Sequence, residues 1–174
     1  MIESAFRSAL SGFAISPASI DALWSEIDEH YSKPGRHYHN LQHLQNVLDE
    51  LEAVKKEIAD WSLLILSVAY HDIIYNPLKQ NNEEKSGVLA VKRLREAGLA
   101  PESADIVNNH ILATKGHRIS DCPDTNFLTD ADLSILGSAP GIYNLYSKQI
   151  RKEYQLYPDL IYNPGRQKVV RYFL

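Results

Sequence analysis

The sequence is poor in several things, and each shortage excludes something. One cysteine, Cys122, in 174 residues leaves no internal disulfide framework and points to a reducing compartment. No run of Lys or Arg occurs, and 18 basic against 22 acidic residues give a formal charge of −4. That balance disfavours a duplex-wrapping or membrane-coating protein, although it does not exclude nucleic acid as a substrate. The longest apolar stretch, Trp61 to Tyr70, is interrupted by Ser62 and Ser67. It is about half of the roughly 20 residues that a bilayer-crossing helix needs. The first residues carry Glu3 and lack both a basic n-region and a sustained apolar core, so they make a poor signal peptide. The glycines are isolated, which removes a Gly-rich phosphate loop, and no nucleophile-elbow pattern occurs. No window alternates with period two for long enough to predict a sheet. The expectation is a cytoplasmic globular protein.

What remains is helical periodicity. Ser16-Pro17 opens a segment with Ile20, Leu23, Trp24, Ile27 and Tyr31 at helical spacing. Leu41, Leu44, Leu48 and Leu51 form a second stripe, and Asp60 caps a third segment from Trp61 to about Tyr75. That third segment is apolar nearly all round and predicts a central, buried helix. Further helices are expected from Asn81 or Asn82 to Ala97, with Gly98 just past the end. Others run from Pro101 to about Thr114 or His117, from about Thr129 to Leu136, and from Pro140-Gly141 to about Leu156. Between them, 117–125 reads as a loop, and Pro158 and Pro164-Gly165 punctuate the rest. With 44% hydrophobic residues and no linker, the expectation is all-α: one compact domain over residues 1–174, with seven to nine helices. Val169, Val170, Tyr172, Phe173 and Leu174 make an apolar end. A natural terminus usually frays into water, so this segment is expected to be cut short or to pack on the body or a partner.

Histidine carries the chemical information. Four residues separate His39 from His43, which on a helix places both on one face, about 40° apart. His71-Asp72 closes the most apolar helix, where a carboxylate is costly unless paired or bound to a cation. Imidazole nitrogen with carboxylate oxygen suits Mn²⁺, Fe²⁺, Ni²⁺, Zn²⁺ or, less comfortably, Mg²⁺. His110 and His117, seven apart with Thr114 between them, form a second pair. Blander readings stand beside these. A buried His bonded to a carbonyl explains any one histidine, and the helix dipole explains His71 with Asp72 in solvent. His117 also reads as a helix cap, and Thr129-Asp130-Ala131-Asp132 as an N-cap with first-turn acids.

Tyr38-His39-Asn40-Leu41-Gln42-His43, then His71-Asp72, then Asp132 within Ala131-Asp132-Leu133, resembles the HD superfamily of metal-dependent phosphohydrolases. The segments RHYHNLQHL, AYHDIIYNP, NNEEKSG, HILATKGH and TDADLSILG resemble a bacterial subgroup of predicted HD-domain hydrolases, over about residues 36–137. The resemblance implies an all-α fold of the HD type and a divalent-metal site of one or two ions (Mn, Ni, Co, Fe, Zn or Mg). His43, His71, Asp72 and Asp132 are the implied ligands, with Asp130 as the rival of Asp132. The Tyr-His-Asn-x-x-His spacing is also similar to that of cyclic-nucleotide phosphodiesterases, which makes His39 the general-acid candidate, with His37 as its rival. His110, and less so His117, are implied ligands of a second metal, bridged by Asp72. Glu83 is the candidate for orienting water, and Arg36 for pairing with substrate phosphate. The implied function is hydrolysis of a phosphate ester of a nucleotide or another small molecule. No membrane or stable nucleic-acid complex is expected, and a homodimer stays open. The alternatives are a non-catalytic metal- or nucleotide-binding helical module and a di-iron oxygenase using the same ligands. Gly87 stands where a small residue with a side chain is expected, a minor local weakening.

Overall fold

The computed structural model describes residues 1–173; Leu174 lies outside the described residues. It is all-helical, as the periodicity implies, with nine α-helices and no strand among the described residues. The organising element is α4 (Trp61–Tyr70), whose residues from Leu63 to Tyr70 are all buried. Asp60 starts it by accepting from the Leu63 N–H. Around it pack α1 (Ile2–Ser11), α3 (Leu41–Ala53), α6 (Pro101–Ala113) and α7 (Pro123–Leu133). Helix α2 (Pro17–Tyr31) begins with Ser16 accepting from the Ser19 N–H and Pro17 in the first turn. It is tied to α5 (Asn82–Ala97) by Arg93, which donates to both oxygens of Glu26. Helix α5 turns back into α6 at Gly98, whose φ of +106° favours glycine. Gly87 has a packing role beside its weak helix propensity: a Cβ there would press on the side chain of Asn108 on α6, so the glycine permits close approach of the two helices.

Three boundaries differ from expectation. Helix α1 was not foreseen; its Phe6 and Leu10 are fully buried against the core. Helix α4 stops at Tyr70, short of Tyr75, because side chains take over the next backbone groups. Tyr31 Oη accepts from Asp72 N, Ser86 Oγ accepts from Ile74 N, and Arg36 donates to the carbonyls of Asp72 and Ile73. Helix α7 starts at Pro123 and not near Thr129, so Asp132 lies in its last turn and the N-cap explanation of that residue falls. Asn126 brackets the approach through the Ser120 N–H and C=O.

Asp124 anchors α7 to the start of α4, with its oxygens accepting from Ala59 N at 2.9 Å and Asp60 N at 2.8 Å. Asp124→Ala would leave both donors without that partner and is expected to cost about 2 kcal/mol. Urea unfolding of the variant against the parent measures this.

Helices α8 (Pro140–Glu153) and α9 (Asp159–Phe173) follow a 3₁₀ turn over Ser134–Gly137. Helix α8 closes a small aromatic cluster of Tyr38, Tyr146 and Ile150, apart from the main core. Helix α9 runs through Pro164, and the Leu160 carbonyl that the proline deprives belongs to a residue 90% exposed to water. No residue of α9 is fully buried, yet Phe173 packs its ring 5.2 Å from that of His117. No helix among the described residues is long and apolar enough to cross a membrane.

Candidate metal centre

Three elements bring the site together. His43 lies in the first turn of α3, and Asn40 caps that helix by accepting from the N–H groups of Gln42 and His43. His39 therefore precedes the helix instead of sharing its face with His43. The two rings still meet, T-shaped with centroids 5.7 Å apart. His71 follows the last turn of α4, and Asp132 comes from α7.

His43 Nε2, His71 Nε2 and Asp132 Oδ1 converge. The two nitrogens stand 3.1 Å apart, and Asp132 Oδ1 is 3.2 Å from the first and 3.7 Å from the second. Ligands about 2.1 Å from a tetrahedral ion sit roughly 3.4 Å from one another, so this spacing suits one small cation. Among the described residues these are the one group of three mutually close donors. Asp72 stands at its edge, with Oδ2 3.3 Å from His71 Nε2 and 3.8 Å from His43 Nε2.

The hydrogen bonding fits a cation as well. His71 Nδ1 lies 2.9 Å from the Val68 carbonyl, which can only accept, so Nδ1 carries a proton. In the neutral ring the Nε2 lone pair then points into the space that the carboxylates share. His43 Nδ1 is buried without a partner, leaving Nε2 as that ring's polar engagement. The group can hold a metal ion. Burial works against charge on His71, but Asp72 and Asp132 outweigh it and lift its pKa well above the ordinary imidazole value. For His43 burial wins and the pKa falls. Burial opposes charge on Asp132 too, but hydrogen bonds from His117, His43 and His71 hold it well below the carboxylate range. Asp72 is also lowered, with burial outweighed by the charges of His71 and His39.

His39 faces this group from the side. Its Nε2 lies 3.8 Å from Asp72 Oδ2, and its Nδ1 donates to Glu153 Oε2 at 2.6 Å. The other Glu153 oxygen accepts from the N–H groups of Tyr38 and His39, and Tyr75 Oη donates to Oε2 at 2.9 Å. Burial lowers the His39 pKa, but the carboxylates of Asp72 and Glu153 reverse this and raise it. Glu153 was not anticipated from the sequence. Its signal was there to read: with Tyr146 and Ile150 it completes the buried stripe of α8, so an acid sits where an apolar residue belongs.

The remaining residues divide. His117 does not join the donors directly; its Nε2 donates to Asp132 Oδ2 at 2.8 Å and holds that carboxylate in place. It does so from a left-handed backbone, φ +47°. His110 is placed elsewhere, with Nδ1 2.8 Å from Thr125 Oγ1, and among the described residues no second group of three donors forms around it. Arg36 uses its guanidinium on the carbonyls of His39, Asp72 and Ile73 and lies over the Tyr31 ring, so it straps the site together and has little left for a phosphate. Glu83, in the first turn of α5, has its pKa raised by partial burial and, secondarily, by the Asp72 charge.

His117→Asn tests the support of Asp132, because asparagine tolerates the left-handed backbone but is too short to reach the carboxylate. Affinity for Mn²⁺ is expected to fall about 10–100-fold with the fold intact. Calorimetric titration reads this directly.

Comparisons with protein-family models, with curated proteins and with solved structures found no match to this chain.

Proposed function

We propose that the protein is a metal-dependent phosphohydrolase acting on a small phosphate ester, nucleotides among them. The observation that carries this reading is the neighbourhood of two devices. A buried set of imidazole and carboxylate donors is spaced for one divalent cation, and a carboxylate-braced imidazole, His39, faces its edge. The order of these residues along the chain is that of the HD superfamily, which the sequence resembles, and this supports the same reading.

His43, His71 and Asp132, with Asp72 beside them, would hold a divalent cation, which would supply Lewis acidity toward a phosphoryl oxygen and toward water. The protein's own residues do the rest. Glu153 fixes the His39 ring and keeps a proton on Nδ1, so Nε2 is the atom presented to the substrate. Protonated there, His39 can deliver a proton to the departing ester oxygen. His117 keeps Asp132 turned inward, and Arg36 holds together the two segments that carry His39 and Asp72.

Elemental analysis of the purified protein, then a phosphate-ester panel with Mn²⁺, Co²⁺ and Ni²⁺, tests the proposal. About one equivalent of metal and release of inorganic phosphate are expected. Metal uptake with no product anywhere in the panel would overturn catalysis in favour of a binding module.

A further inference from the structure

A cavity of about 370 Å³ lies between α8 and α9, with His39 in its wall. Its walls include Tyr146 and Tyr154 from α8 and its end, and Tyr162, Gly165 and Arg166 from α9. The inward side of α9 is a helical stripe of partly covered residues, Tyr162, Arg166 and Val170, flanked by exposed ones. Arg166 is therefore a charge on a face that elsewhere carries rings and aliphatic groups. Its guanidinium donates from Nη2 to Tyr146 Oη at 2.6 Å and lies 5.0 Å from the centre of that ring. Its hydrogen-bond partner is that tyrosine hydroxyl, not a carboxylate. Arg151 and Arg93, by contrast, each meet an acid. A half-covered guanidinium with free donors, in an aromatic pocket beside a metal site, is matched by an arriving anion.

We propose that this cavity is the subsite that selects the substrate: a compact phosphate monoester with a planar, aromatic organic group. The tyrosines hold the ring, and Arg166, which lines the same cavity as His39, meets the phosphoryl oxygens. The proposal rests on the phosphohydrolase reading for the placement of the reacting phosphate. The volume lies at the low end of small-molecule sites, about 300–1,000 Å³, which fits one ring system and disfavours an oligomeric substrate.

Gly165 supplies an independent handle. A Cβ at that position meets nothing within 4 Å. Gly165→Leu therefore adds bulk at the cavity wall from an unhindered Cβ, at a position where leucine favours the helix over glycine.

Phenylphosphonate, which carries a ring and a phosphoryl group but no hydrolysable ester, is the probe, and methylphosphonate is its ringless control. Titration calorimetry on the Mn²⁺-loaded and metal-free protein is expected to show phenylphosphonate binding at least tenfold more tightly than methylphosphonate. Arg166→Gln should weaken phenylphosphonate at least tenfold, and Arg166→Lys by less. Gly165→Leu should erase the ring's advantage without lowering the melting temperature. Phenylphosphonate affinity within twofold of the parent in both Arg166→Gln and Gly165→Leu overturns the proposal. Arg166-dependent binding with no ester hydrolysed under any metal sinks the hydrolase reading and leaves the subsite standing. Hydrolysis whose KM ignores both variants does the reverse.

Discussion

Asp132→Asn is expected to lower affinity for Mn²⁺ by more than 100-fold and to remove phosphate release, while the helical fold survives. The change keeps the shape of the side chain and removes its charge. Asp132 is the one carboxylate within the tight donor group, and its Oδ1 lies 3.2 Å from His43 Nε2. An amide oxygen is a much poorer ligand for a hard or borderline cation. The amide nitrogen would also compete with His117 for position, because His117 Nε2 already donates to the second oxygen. The metal-free protein should feel the change too. Two buried imidazoles, 2% and 1% exposed, would keep only Asp72 as a nearby countercharge. His71 should then be less readily protonated, since Asp132 is one of the carboxylates that raise its pKa. Metal titration, phosphate release and circular dichroism of the same preparation are the measurements. Undiminished metal binding in Asp132→Asn would remove the assignment of this group as a metal centre.

The way the sequence encodes this site explains which parts were legible. Helix type and order follow from apolar spacing, and α4 stands out because eight consecutive residues, Leu63 to Tyr70, are buried. Residues that report on local structure are equally clear: Ser16 and Asp60 start their helices and Gly98 ends one, as their chemistry dictates. Asn40 was the exception. Read as one more helical residue, it let His39 slide onto the face of His43. Its side chain instead accepts from two N–H groups and starts the helix after it, leaving His39 free to turn toward Glu153. The end of α4 and the start of α7 were misplaced for a related reason. Their boundaries are set by distant partners, Tyr31, Ser86 and Arg36 in one case and the Asp124–Ala59 contact in the other. No local rule reports bonds that span tens of residues. Arg36 shows the same limit on function: its position before the histidine motif suggested a phosphate partner, and only the fold reveals the carbonyls that occupy it.

Glu153→Gln is expected to separate proton delivery from metal binding. Glu153 accepts from four donors: two backbone N–H groups, the His39 ring and the Tyr75 hydroxyl. A glutamine oxygen can keep the two backbone donors, but its NH₂ then faces two groups that also donate. The His39 ring must turn or change tautomer, and it loses the anion that favours its charged form. Metal affinity should stay within a few-fold of the parent, because Glu153 touches none of the three clustered donors. Turnover should fall about 100-fold, in kcat more than in KM. The loss should be greatest for esters with poor leaving groups and small for nitrophenyl esters, whose oxygen departs without a proton. Stability against pH provides a second readout. Burial opposes charge on Glu153, but His39 and the backbone N–H groups win and hold its pKa down to about 2, from an ordinary 4.5. Because the folded value lies below the unfolded one, this contribution is complete above about pH 4.5 and disappears as the pH falls toward 2. At about 1.4 kcal/mol per unit, it is of order 3 kcal/mol at most. The stability gap between parent and Glu153→Gln should therefore close across that window in urea unfolding. A gap unchanged by pH, together with a kcat loss equal for good and poor leaving groups, would show that Glu153 neither carries charge there nor positions a proton donor.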